Sequence, residues 1–169
     1  MQADDVDLLF EYDAWATERL LAQTDGLDPA RLSAPPAPGH APIGPTLLHI
    51  FDATRLWRTR CQGLPRPPRF TEADAPTPAA LRALCEREGE EMRAFLAQRG
   101  GDDDAVVRWA WGDAGELPGM RRRYALLQAI THAVAHRAEV AQSLTLLGHS
   151  PGNLDLFFFL MERGLVDGA

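Results

Sequence analysis

The chain has 169 residues, of which 46% are hydrophobic and 24% charged, and its formal net charge is −7. This length fits a single domain over residues 1–169, and the composition is that of a globular chain and not of a disordered one. The acidic balance removes the usual electrostatic drive toward nucleic acid, and no stretch approaches the roughly 20 apolar residues that a membrane helix needs.

The first predicted helix runs from about residue 5 to 21. Asp4 or Asp5 caps it, and Leu8, Leu9, Tyr12, Trp15, Ala16, Arg19 and Leu20 recur with helical spacing. A loop follows with Pro35, Pro36, Pro38, Pro42 and Pro45, since proline lacks an amide donor and turns its predecessor away from helix. The second helix is expected from about Thr46 to Cys61 and stops at Gly63. A second loop carries Pro65, Pro67, Pro68 and Pro76. The third helix opens with Thr77 as cap and Pro78 in first position, and extends to about Gln98.

Residues 102–121 read differently. Val106, Val107, Trp109 and Trp111 are β-prone, and Gly112, Gly115, Pro118 and Gly119 follow, so a short hairpin near 106–120 is expected. The fourth helix runs from about Arg122 to Leu147, with Leu127, Ile130, Thr131, Val134, Ala138 and Ala141 as its packed face, and Gly148 and Pro151 beyond it. A short last helix covers about Leu154 to Glu162. Four amphipathic helices without a strong strand set predict an all-α four-helix bundle, and the long connections predict crossovers.

The run Arg121-Arg122-Arg123 reads as a solvated helix start and not as a nucleic-acid patch. No basic and apolar leader opens the chain. Cys61 and Cys85 lack metal-type spacing. A cytoplasmic protein with two reduced, packed thiols is the expectation, with neither nucleic acid nor membrane as partner.

Five histidines are present. His132 and His136 lie four residues apart, which stacks both rings on one helix face, the spacing that gives two ligands to one metal ion. His49 stands in the apolar run Leu47-Leu48-His49-Ile50-Phe51, where a buried ring would need a partner. That partner is either a backbone carbonyl or a metal shared with the fourth helix. His40 and His149 read as solvated loop residues.

The chain also resembles the DinB/YfiT-like proteins, a family of metalloenzymes whose founding members are induced by DNA damage. Residues 12–21, Tyr-Asp-Ala-Trp-Ala-Thr-Glu-Arg-Leu-Leu, are similar to the family's first-helix pattern. Residues 43–51, Ile-Gly-Pro-Thr-Leu-Leu-His-Ile-Phe, resemble its second-helix stretch, with Arg55-Leu56-Trp57 following in register. His132-Ala-Val-Ala-His136-Arg137 resembles its ligand helix, and residues 148–156 resemble its closing segment. The resemblance implies His49, His132 and His136 as ligands, nickel or zinc as the metal, and a homodimer. Two departures stand out. Ala138-Glu139 replaces Gly-Gln after the ligand pair, and Thr54 stands where Asp is common.

Three neutral imidazoles leave a divalent ion with its charge and with open positions. Relatives that are thiol-dependent transferases make an S-transferase using a low-molecular-weight thiol, or a hydrolase, the expected activity on a small-molecule substrate. A non-catalytic metal-binding stress-response protein is the alternative, and histidines satisfied without metal are a third. Glu139, one turn from His136, is the candidate general acid or base, and Gln128, one turn before His132, the candidate cofactor-binding residue. Tyr12 and Trp15 are expected in the core, Asp52 on the outer face of its helix, and Arg137 in an ion pair.

Overall fold

Four of the helices in this chain begin where a side-chain oxygen or a proline stands at the start. The computed structural model describes residues 3–100, 102–109 and 119–166. It contains helices α1 (Ala3–Ala22), α2 (Pro29–Ser33), α3 (Ile43–Cys61), α4 (Pro78–Gln98), α5 (Arg122–Leu146) and α6 (Leu156–Glu162). The Thr77 hydroxyl accepts the Ala80 N–H at 3.2 Å at the start of α4, and the Asp155 carboxylate accepts the Phe157 N–H at 2.8 Å at the start of α6.

Sequence patterning placed the start of α3 at Thr46, but the helix begins at Ile43. Pro45 falls in its first turn, where a missing N–H costs no helical hydrogen bond. The short α2 lies where the patterning predicts no helix. Its signal is the pair Asp28-Pro29, in which the Asp28 side chain accepts the Ala30 N–H at 2.9 Å. A 3-10 turn at Glu72–Asp74 was also missed. At the far end of α5, Gly148 adopts φ +85° and the His149 N–H returns to the Leu144 carbonyl at 2.9 Å, closing the helix as expected.

The four long helices pack as a ring in the order α1, α5, α3, α4. Two core clusters give their directions. One joins Leu20 and Leu21 late in α1 with Ile43 and Leu47 early in α3, Leu81 and Leu84 early in α4, and Val140 and Leu144 late in α5. The other joins Val6 and Phe10 early in α1 with Cys61 late in α3, Met92 and Phe95 late in α4, and Leu126 early in α5. So α1 and α5 run one way, and α3 and α4 the other. The segment between α3 and α4 must therefore cross the length of the bundle, and it passes along the outside of α3.

The buried face of α5 is rotated from the expected one. Ala125, Leu126, Ala129, Ile130, Ala133, Arg137, Val140, Ser143 and Leu144 are buried, whereas Val134 is 41% exposed and Thr131 and Ala138 face solvent. Small alanines count as core here because they let α3 approach closely, which a stripe of large residues would not. The expected hairpin exists at its ends. Strands β1 (Val106–Val107) and β2 (Met120–Arg121) pair antiparallel, with Val106 opposite Arg121. Gly119 faces Val106 so closely that a Cβ would lie 2.2 Å from its methyl. Trp111, Gly112, Gly115 and Pro118 lie outside the described residues. No helix among the described residues is long and apolar enough to cross a membrane.

Candidate metal centre

His49 comes from α3, and His132 and His136 from α5, the two helices with the most extensive contact in the bundle. The pair on α5 rides beside the buried alanines Ala129 and Ala133, so close packing of backbone on backbone fixes where both rings emerge. One nitrogen from each of the three rings lies within 4.8 Å of the other two. The Nε2 atoms of His49 and His132 are 3.0 Å apart, and the three ring centroids are 4.4–4.9 Å from one another.

Two imidazole nitrogens facing each other at that distance both present lone pairs unless one carries a proton or a cation lies between them. A tetrahedral ion bound at about 2.0–2.1 Å holds its nitrogen ligands about 3.4 Å apart. The donor set fits such an ion in kind and in spacing. Neither Glu139 nor His149 joins the cluster among the described residues, so three ligands leave positions open.

The charge state suits a ligand role. Partial desolvation at the helix seam, then the neighbouring His136 and Arg69, lowers the pKa of His49 below 6.5 against the opposing pull of Asp52 and Glu139. Burial, then His136 and His49, likewise lowers that of His132. Both rings are therefore neutral at pH 7 and keep a lone pair for a metal.

The remaining expected site residues separate. Glu139 lies beside the cluster, its Oε2 2.8 Å from His136 Nδ1. A carboxylate there holds the Nδ1–H tautomer and directs Nε2 outward, the usual carboxylate–histidine–metal arrangement. Gln128 is exposed on α5 one turn before His132, and its backbone carbonyl accepts the Thr131 hydroxyl. Arg137 forms its expected ion pair, with Asp13 of α1, and is only 2% exposed. Tyr12 and Trp15 pack against Phe159 as expected.

Two readings need correction. His49 is not buried by its apolar neighbours. Leu47, Leu48, Ile50 and Phe51 turn inward, and the ring of His49 sits at the exposed outer edge of α3. An apolar run on a helix covers all faces, so it does not tell which one a single residue takes. Asp52 does not stand idle on the outer face either. Its Oδ1 accepts the Arg55 guanidinium at 2.9 Å and the Phe70 N–H at 3.1 Å, which ties the crossover segment to α3. That segment and α3 border an open cavity of about 390 Å³ beside His49, walled also by Arg69, Phe70 and Glu72. Sequence reasoning missed this wall because nothing in a proline-rich loop announces which helix it will lie against.

The two cysteines stand away from the histidines. Both are free. Burial pushes the Cys61 thiol up to about 11 and the Cys85 thiol up to about 12.

A family model described as the DinB superfamily matches residues 13–140, a span that contains all three histidines, Asp13 and Arg137. No curated protein matches the chain.

Proposed function

The chain belongs to the DinB superfamily, and on that premise we propose that it is a divalent-metal-dependent enzyme whose ligands are His49, His132 and His136. The activity proposed is thiol-dependent S-transfer or hydrolysis on a small molecule, with nickel or zinc as the metal. The observation that carries this reading is the convergence of three ring nitrogens within 4.8 Å on an accessible seam.

A divalent ion in that position would lower the pKa of a bound water toward roughly 7, or hold a small thiol as its thiolate. The chain's own part is to position and to exclude. His49 and His132 stay neutral near pH 7 because their surroundings disfavour the imidazolium. Glu139 fixes the ring of His136 and accepts its Nδ1 proton's hydrogen bond. Cys61 and Cys85, protonated through the physiological range, offer no nucleophile. The sulfur in an S-transfer must then come from a separate small thiol.

A non-catalytic metal protein is the competing reading, and a closed four-ligand shell would favour it. The three-ligand cluster supports the enzyme instead. The test is turnover by the metal-loaded protein of a panel of thiols with an aromatic chloride electrophile, and of simple esters and amides. Activity that vanishes in His49→Ala, with the helical signal retained, supports the proposal. A loaded protein without turnover on any of them contradicts it.

A further inference from the structure

We propose that Arg69 anchors an anionic group of the ligand taken at the histidine site, so that this site selects small molecules bearing a carboxylate or similar anion over neutral ones. The inference rests on the metal-centre reading above and adds the chemical class of its ligand.

Arg69 and His49 line the same cavity of about 390 Å³, the size of a small-molecule site. The residues on either side of Arg69 are both fastened to α3. Arg55 donates to the Pro68 carbonyl and lies 3.6 Å over the Phe70 ring, and Asp52 accepts the Phe70 N–H at 3.1 Å. The backbone of Arg69 is thus held from both sides, while its guanidinium makes no ion pair among the described residues. Arg69 is exposed, so a guanidinium carried on this anchored backbone keeps its donors free for a planar anion, which it grips through two parallel hydrogen bonds.

The other charges of the cavity sort themselves. Asp52 is already neutralised by Arg55 at 2.9 Å. Glu72 is exposed in the 3-10 turn. Arg69 is thus the cation of this cavity that no carboxylate pairs among the described residues.

The experiment uses cobalt-loaded full-length protein and reads the thiolate-to-cobalt absorption band. Three thiols of matched size are titrated: 3-mercaptopropionate, 2-mercaptoethanol and cysteamine. The wild type should bind 3-mercaptopropionate about tenfold more tightly than 2-mercaptoethanol, the scale of one charge-assisted hydrogen bond. Arg69→Ala should equalise the two without changing cobalt content or the 2-mercaptoethanol affinity, and Arg69→Lys should keep part of the preference. An unchanged preference in Arg69→Ala overturns the inference while leaving the metal centre intact. So does a preference for cysteamine that Glu72→Gln removes. Failure to take up cobalt at all overturns the metal centre itself, and this inference with it.

Discussion

The seam between α3 and α5 and the seam between α1 and α4 lie on opposite sides of one helix ring and are built from different materials. On the first, Ala125, Ala129 and Ala133 let α5 lie close against α3. On the second, the ends are clasped by ion pairs, Arg82 with Glu18 and Asp25, and Arg99 with Asp7. Between those clasps a cavity of about 660 Å³ remains, floored by Ile50 and Phe51 of α3. Close backbone packing fixes side-chain positions, whereas long ion-paired side chains bridge a gap without closing it. The three imidazoles sit on the tightly packed side, where a shift of one helix would separate them.

The largest effect should come from the link that orients α5. Asp13→Ala leaves Arg137 as a buried, unpaired cation and should cost about 3–5 kcal/mol in denaturant unfolding. Replacing both, as Asp13→Ala with Arg137→Met, should recover much of that loss. Equal losses in the single and double variants would show that the pair does not set the helix.

The seams themselves can be compared by one kind of substitution. Ala133→Leu, at a site 1% exposed against α3, should destabilise by about 1–3 kcal/mol through overpacking. Ala97→Leu, on the exposed lining of the large cavity, should stay within about 0.5 kcal/mol. Similar costs at the two positions would erase the distinction.

A smaller and more local change is Glu139→Gln. It keeps the shape but weakens the hold on His136 Nδ1, and should lower metal affinity about 10–100-fold by competition with a chelating dye. Metal affinity equal to wild type would return Glu139 to the role of a surface carboxylate.

The mildest test is pH. The pKa values of His49 and His132 are lowered from 6.5 in the folded protein. Below pH 6.5 the unfolded chain therefore takes up protons first, and metal-free stability should fall as pH drops from 6.5 through the folded values. Above 6.5 these two rings contribute no slope. The thiols act at the other extreme: folded values of about 11 and 12 against an ordinary 9.0 mean that stability is lost as pH rises from 9 upward. A His49→Ala, His132→Ala double variant should flatten the acid side in urea titrations and leave the alkaline side alone. Identical acid-side slopes in variant and wild type would refute the histidine assignment.

Much of this was legible in the residues. The Thr77-Pro78 start, the Gly148 stop and the four-residue step from His132 to His136 each carry a local physical signature, and each landed where expected. The face of α5 did not, because alanine is nearly silent in a hydrophobic pattern yet decides how close two helices come. The exposure of His49 was equally hidden, since its neighbours are apolar on both sides. The wall formed by Pro68, Arg69 and Phe70 depends on bonds from Arg55 and Asp52 across more than a dozen residues, a relation that no local pattern encodes.

The most direct measurement is a crystal structure of untagged protein with the metal located by anomalous scattering. The account predicts a single ion on each chain, bound by one nitrogen each of His49, His132 and His136, with Glu139 hydrogen-bonded to His136 from behind. An ion held elsewhere, or a chain that carries none while the three rings stand in place, would contradict it.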